Sequence, residues 1–301
     1  MPDDMRWSEK TTSEERCADI ARFLRKLRTI FVCYMERDEW WDGLTASRAR
    51  EEAEAAMKAG GVPLKTALRS AYSVMNVSLF AAMQHIDAIA LMLEANNPPP
   101  YAISVQARSA LEISGRAWWL ADPNLDFNGR TKRALIERLA SAIEVDRLET
   151  SGKLEAGQLG APPTVGAMLT EIHELRYICN SRKPPVTIED QRRPSATELI
   201  ADFLKPELER GHQAIYRLLS AVAHGTLWGL MIFFTVEPDE MKRTKGTYRV
   251  TQNWLDGPAC TVAVALGETL KRIVRLLGWD PQLVNEFLTE ADVLFGDVAD
   301  D

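Results

Sequence analysis

The chain has 301 residues, of which 46% are hydrophobic and 26% charged, and Lys plus Arg total 36 against 43 Asp plus Glu, for a net charge of −7. This length and composition suit a soluble globular protein with a sizeable core and exclude a disordered chain. The acidic balance removes a generally basic surface as a reason to bind nucleic acid, so such a partner needs a local basic patch. Cys17, Cys33, Cys179 and Cys260 form no C-x-x-C pair, which favours reduced thiols over a disulfide framework or a zinc site. The opening stretch MPDDMRWSEKTTSEERC is polar and acidic, unlike a secretory signal, and a cytoplasmic location is expected.

The predicted elements are almost all helical. Thr12 stands three residues before Glu15, a capping-box spacing. Apolar residues then recur at Ile20, Phe23, Leu24, Leu27, Ile30 and Phe31, in the steps of three and four that build one helix face. ASRAREEAEAAMKA is a second helix, rich in alanine and polar on its surface, stopped by Gly60, Gly61 and Pro63. A long helix is expected over 64–95, ended by the prolines of NNPPP, and another over 101–120, closed by ADPN. The short link makes these two antiparallel neighbours. Further helices are predicted over 130–154 and 164–179, with a long exposed connection, NSRKPPVTIEDQRRP, after the latter. Ser195 and Glu198 repeat the capping-box spacing before LIADFL. A helix over 211–236 follows. GTYRVTQNWLDG is the one plausible strand or hairpin piece, from its β-branched and aromatic content. Residues 258–277 return to helix, and Asp280-Pro281 starts the last one.

The fold class is therefore all-α, a multi-helix bundle with at most one short β-hairpin. Residues 1–61 are expected to form an N-terminal helical arm and 62–301 the main helical bundle. Two runs, 70–93 and 218–236, approach the length of a membrane span. The first contains Asp87, which is costly in lipid, and both suit buried central helices, so no membrane association is expected.

Polar residues inside these helices are the candidate functional groups. Arg108, Glu112 and Arg116 are spaced i, i+4, i+8, with a carboxylate between two guanidiniums. Such a row is either a structural ion network or a clamp for a small anionic ligand. Asp87 lies in an apolar run and needs a partner, for which Arg108 or Arg116 on the following helix is the expected choice. In IYRLLSAVAHGTLWGL, Arg217 and His224 stand seven residues apart, close to two turns, with Ser220 one turn before His224. An imidazole and a guanidinium on one face suit phosphodiester chemistry: the first moves protons and the second stabilises phosphate charge. The alternative is a core histidine with its hydrogen bonds satisfied. No H-E-x-x-H, nucleotide-binding glycine loop or G-x-S-x-G elbow occurs, and Glu209 and His212 form a lone E-x-x-H. No metal or other cofactor is expected. His173 is expected to be solvated, the Trp40-Trp41 and Trp118-Trp119 pairs to be packing anchors, and the loops RRP at 192–194 and KRTKG at 242–246 to be ordinary exposed charges.

Arg217, six residues and then His224 on a helix resembles the R-x4–6-H motif of HEPN-type proteins. These are helical bundles, many of them metal-independent ribonucleases that act as dimers. The resemblance implies Arg217 and His224 as a catalytic pair, RNA as substrate and a homodimer. The segments A-W-W-L-x-D-P and A-H-G-T are also similar to those of an uncharacterised bacterial all-helical family. Two functions stay open: a HEPN-like endoribonuclease acting as a defence or toxin effector, or a non-catalytic helical module that binds a small ligand or a partner protein. Arg108, Glu112, Arg116, Asp87 and Ser220 are the candidate ligand-binding residues.

Overall fold

Side-chain caps start the helices, and apolar periodicity decides which faces they bury. The computed structural model describes residues 13–37, 46–151, 163–180, 186–189, 191–204, 212–238, 244–248 and 251–295. α1 (Glu14–Met35) begins at Ser13, whose hydroxyl accepts a hydrogen bond from the Arg16 amide. Thr12, the expected cap, lies outside the described residues. The apolar row from Ile20 to Phe31 is buried along its whole length.

Ser47 caps α2 (Arg48–Leu93) by accepting from the Arg50 amide. Gly61 breaks the helix at φ 66° and ψ −155°, a region open in practice to glycine alone, and Pro63 sits in the first turn beyond it. The domain boundary expected near residue 61 falls on this kink. Residues on both sides of it, together with α1, belong to one hydrophobic cluster with the rest of the bundle. α2 is long and apolar enough to cross a membrane by length and composition, and Asp87 within it pairs with Arg28 of α1 at 3.0 Å.

α3 (Pro100–Leu120) folds back on α2, and the two form the most extensive helix pair. α4 (Phe127–Thr150) starts at Asp126, whose carboxylate accepts from the Gly129 amide at 2.7 Å. Beyond it come α5 (Val165–Glu174) and a three-stranded antiparallel sheet, β1 (Cys179–Asn180), β2 (Thr187–Ile188) and β3 (Gln191–Arg192). The helix predicted over 164–179 ends at Glu174, and this sheet takes Cys179 and part of the connection predicted as exposed, where Ile188 is fully buried; strands of two residues are too short to show a period. Leu135, Leu139, Met168, Ile172 and Ile188 form a small second core between α4, α5 and β2.

α6 (Ala196–Leu204) and α7 (His212–Ala223) pack on α3. The helix predicted over 211–236 ends early: α7 stops at Ala223, a five-residue α8 (Leu227–Met231) follows, and residues 234–238 are already strand. β4 (Phe234–Pro238) pairs with β5 (Thr244–Tyr248) in an antiparallel hairpin. Of the predicted strand piece 246–257, residues 246–248 belong to β5, and helix resumes at Asn253. α9 (Asn253–Leu276) packs against α2 and α3, and α10 (Gln282–Phe295) closes that side with α1. Phe23 stacks on Phe287 at 4.3 Å, and Arg16 reaches the buried Asp256 at 3.0 Å.

The predicted capping box before α6 is present. Ser195 donates its amide to Glu198 at 2.9 Å, and the Glu198 amide reaches the Ser195 hydroxyl at 3.3 Å. Arg192, a member of the RRP loop, binds Glu198 through two hydrogen bonds, and this pair, helped by Ser195, lowers the Glu198 carboxyl to about 2. The contribution of Glu198 to folding is complete above the unfolded carboxylate value near 4.5 and is lost as pH falls toward 2. A carboxyl NMR titration is expected to show that low midpoint, and 1 M salt to move it upward, since the pair is exposed and screened. A midpoint that stays near 4.5 would show that the pair does not persist in solution.

Candidate functional site

α7 buries Tyr216, Leu219 and Val222 against its neighbours and leaves Arg217 on its exposed side. Ser220 is half-buried and His224 exposed. Neither the Arg217 nor the His224 side chain has a hydrogen bond or ion pair with a described residue. The core-histidine alternative therefore fails on exposure. The His224 amide still donates to the Ser220 carbonyl at 3.0 Å, so helical geometry reaches that position. Arg217 and His224 then stand about 10.5 Å apart along the axis and about 20° apart around it.

The A-H-G-T segment ends α7 and starts α8. The Gly225 amide donates to the Val222 carbonyl at 3.0 Å and the Thr226 amide to the Ala221 carbonyl at 3.1 Å, the paired bonds of a Schellman motif. Gly225 has φ +61°, as that motif requires. Thr226 then caps α8 by accepting from the Gly229 amide. Gly229 lies so close to α7 that an added Cβ would meet the Ala221 carbonyl at 2.4 Å. His224 thus stands at the corner between α7 and α8, and the exposed apolar side chains Leu227, Trp228 and Met231 follow it on α8. Gly225→Ala meets open space but a strained backbone. It is expected to cost about 1–2 kcal/mol in denaturant unfolding; no loss would mean that the corner relaxes freely.

The Arg108–Glu112–Arg116 row does not act as one unit. Glu112 accepts from Arg108 at 2.8 Å and from the Tyr216 hydroxyl at 2.9 Å, which ties α3 to α7 beside Arg217. Burial, then the hydrogen bond to Glu112, raises the Tyr216 phenol above its ordinary value. Arg116 is exposed and lines a separate cavity of about 610 Å³ with Ser78, Glu137, Arg138, Ser141 and Arg193. Asp87 does not face this row, because its partner Arg28 comes from α1. Burial raises the Asp87 carboxyl, and Arg28 and Arg25 oppose that rise. Of the candidate ligand-binding residues, the structure joins Arg108 and Glu112 beside Tyr216 of α7, leaves Ser220 half-buried on α7, and separates Arg116 and Asp87. His85 binds Gln106 of α3. His173 is exposed, as expected.

The most buried charge pair lies elsewhere. Arg130 has no exposed surface and binds Glu52 at 2.8 and 3.1 Å, while also donating to the Leu120 and Asp122 carbonyls. Glu52 additionally accepts from Arg48 and from the Tyr72 hydroxyl. Burial and the nearby Glu52 charge push the Tyr72 phenol well up. The A-W-W-L-x-D-P segment is the corner that this network holds. Trp118 packs on Phe203 and carries the Arg272 guanidinium 3.9 Å from its ring centre, and Arg133 lies 4.8 Å over Trp119. The Trp40-Trp41 pair lies outside the described residues.

Among the described residues no three His, Cys, Asp or Glu side chains are grouped as metal ligands would be. Comparison with protein-family models, curated proteins and solved structures gave no match.

Proposed function

We propose that this chain is a HEPN-like, metal-independent endoribonuclease, a defence or toxin effector in which His224 is the general acid/base and Arg217 the phosphate-stabilising cation. The observation that carries the reading is the joint exposure of both side chains on one face of α7, with no described residue occupying either. An uncommitted imidazole and guanidinium at this separation flank the space that a bound phosphodiester would occupy. The exposed apolar group Leu227, Trp228 and Met231 favours a second reading, a helical module that docks a partner protein beside His224. Purified protein is to be incubated with varied RNAs, with and without EDTA, in parallel with a thermal melt of wild type and His224→Ala. The nuclease reading expects cleavage that survives EDTA and disappears in a variant that still melts normally. An inert wild type would leave the docking module as the reading.

A further inference from the structure

We infer that the corner between α3 and α4 forms, with α9, a binding pocket for a small phosphorylated molecule, independent of the Arg217–His224 site. A cavity of about 440 Å³ opens there, lined by Arg48, Lys271, Arg272 and Arg275, with Glu268 as the only acidic lining residue among the described residues. Four cations around one carboxylate stand out in a chain whose net charge is −7.

The cations differ in how they are held. Arg48 is fixed by Glu52 and by the Pro123 and Leu125 carbonyls, and the Arg272 guanidinium lies over the Trp118 ring. Both are positioned before any ligand arrives, which lowers the entropy cost of binding. Lys271 pairs with Glu268 at 3.0 Å. Arg275 is exposed, and its side chain has no hydrogen bond or ion pair with a described residue. Lys271 and Arg275 are one turn apart on α9, a spacing at which like charges repel. A bound anion relieves that repulsion. The helix dipole accounts for a cation in the last turn of α9, but not for Arg48, which arrives from α2, nor for the concave shape.

The chemistry selects phosphate. Guanidinium forks match phosphoryl oxygens in pairs, and the ammonium adds a point charge. The cavity volume lies within the usual range for small-molecule sites and admits a diphosphate or a nucleotide. It is a partly open recess at one corner of the bundle, whereas a nucleic-acid strand needs a groove that follows successive phosphates. The pocket also lies away from the α7–α8 corner that carries His224. Trp118 and Ala121 bring it to the C-terminal end of α3, whereas Phe233, beyond α8, packs on Tyr101 at the other end.

Pyrophosphate is the probe, titrated calorimetrically into wild type, Arg275→Gln and Arg147→Gln at constant ionic strength. Arg147 is an exposed arginine on α4, paired with Glu144, and serves as the control. Saturable one-to-one binding is expected, weakened at least tenfold by Arg275→Gln and unchanged by Arg147→Gln. Arg275 is on the surface, so the variant is expected to fold; a melting temperature equal to wild type checks this. No saturable heat, or equal weakening in both variants, would overturn the proposal. So would an oligoribonucleotide that competes at lower concentration than pyrophosphate and depends on Arg275, since the site would then be a nucleic-acid surface.

Discussion

Glu52→Ala is expected to destabilise the protein by about 3–5 kcal/mol, the cost of removing one partner from a buried ion pair. Arg130 is completely buried, and Glu52 supplies its only carboxylate contacts among the described residues. After the substitution its charge would keep just the Leu120 and Asp122 carbonyls. The Tyr72 hydroxyl would lose its carboxylate acceptor as well. The double variant Glu52→Leu with Arg130→Met removes charge from both sides and is expected to recover most of that loss. Urea unfolding of the three proteins measures this directly. A single variant within about 0.5 kcal/mol of wild type, the usual value at a surface, would mean that Arg130 reaches water in solution.

The second large effect concerns the reaction. Under the proposed function, His224→Ala is expected to lower RNA cleavage by about 100- to 10,000-fold, the usual range for losing a general acid or base. Arg217→Gln is expected to act with comparable size by removing charge stabilisation at the phosphate. If the two groups act on one phosphodiester, the double variant should be little worse than the poorer single one. Stability should change by less than about 0.5 kcal/mol in each, because both side chains are exposed. Additive losses in the double variant would argue that the residues do not share a substrate.

Much of the bundle was legible because local rules govern it. The apolar row of α1, the Ser195–Glu198 box and the prolines before α3 each follow from a few neighbouring residues. The helix over 211–236 was misread because its apolar run continues through Gly225 while the backbone does not: positive φ cannot be read from hydropathy. The arginine row misled for a geometric reason. Eight residues turn about 800°, so Arg116 lies about 80° around the helix from Arg108 and faces another cavity. Asp87 found its partner on α1, whose placement beside α2 depends on the whole core. Glu52 did leave a signal. It shares its helix face with Ala49 and Ala56, both buried, at steps of three and four, so an acid among small residues marked a close, charged approach. The cations around the Trp118 corner come from α2 and α9, more than 200 positions apart, and no linear pattern unites them.

The pair Arg16–Asp256 spans 240 positions, and Phe23 meets Phe287 on the same seam. Contacts this remote along the chain demand the greatest loop-closure entropy, whereas the α2–α3 hairpin closes over a few residues. Folding thus has a built-in order. The hairpin can assemble early as a local nucleus, but the layer of α1 and α10 can only be sealed once nearly everything between them has condensed. Until that moment the aromatic faces of Phe23 and Phe287 remain uncovered, and this late seam is where a partly folded molecule would adhere to another.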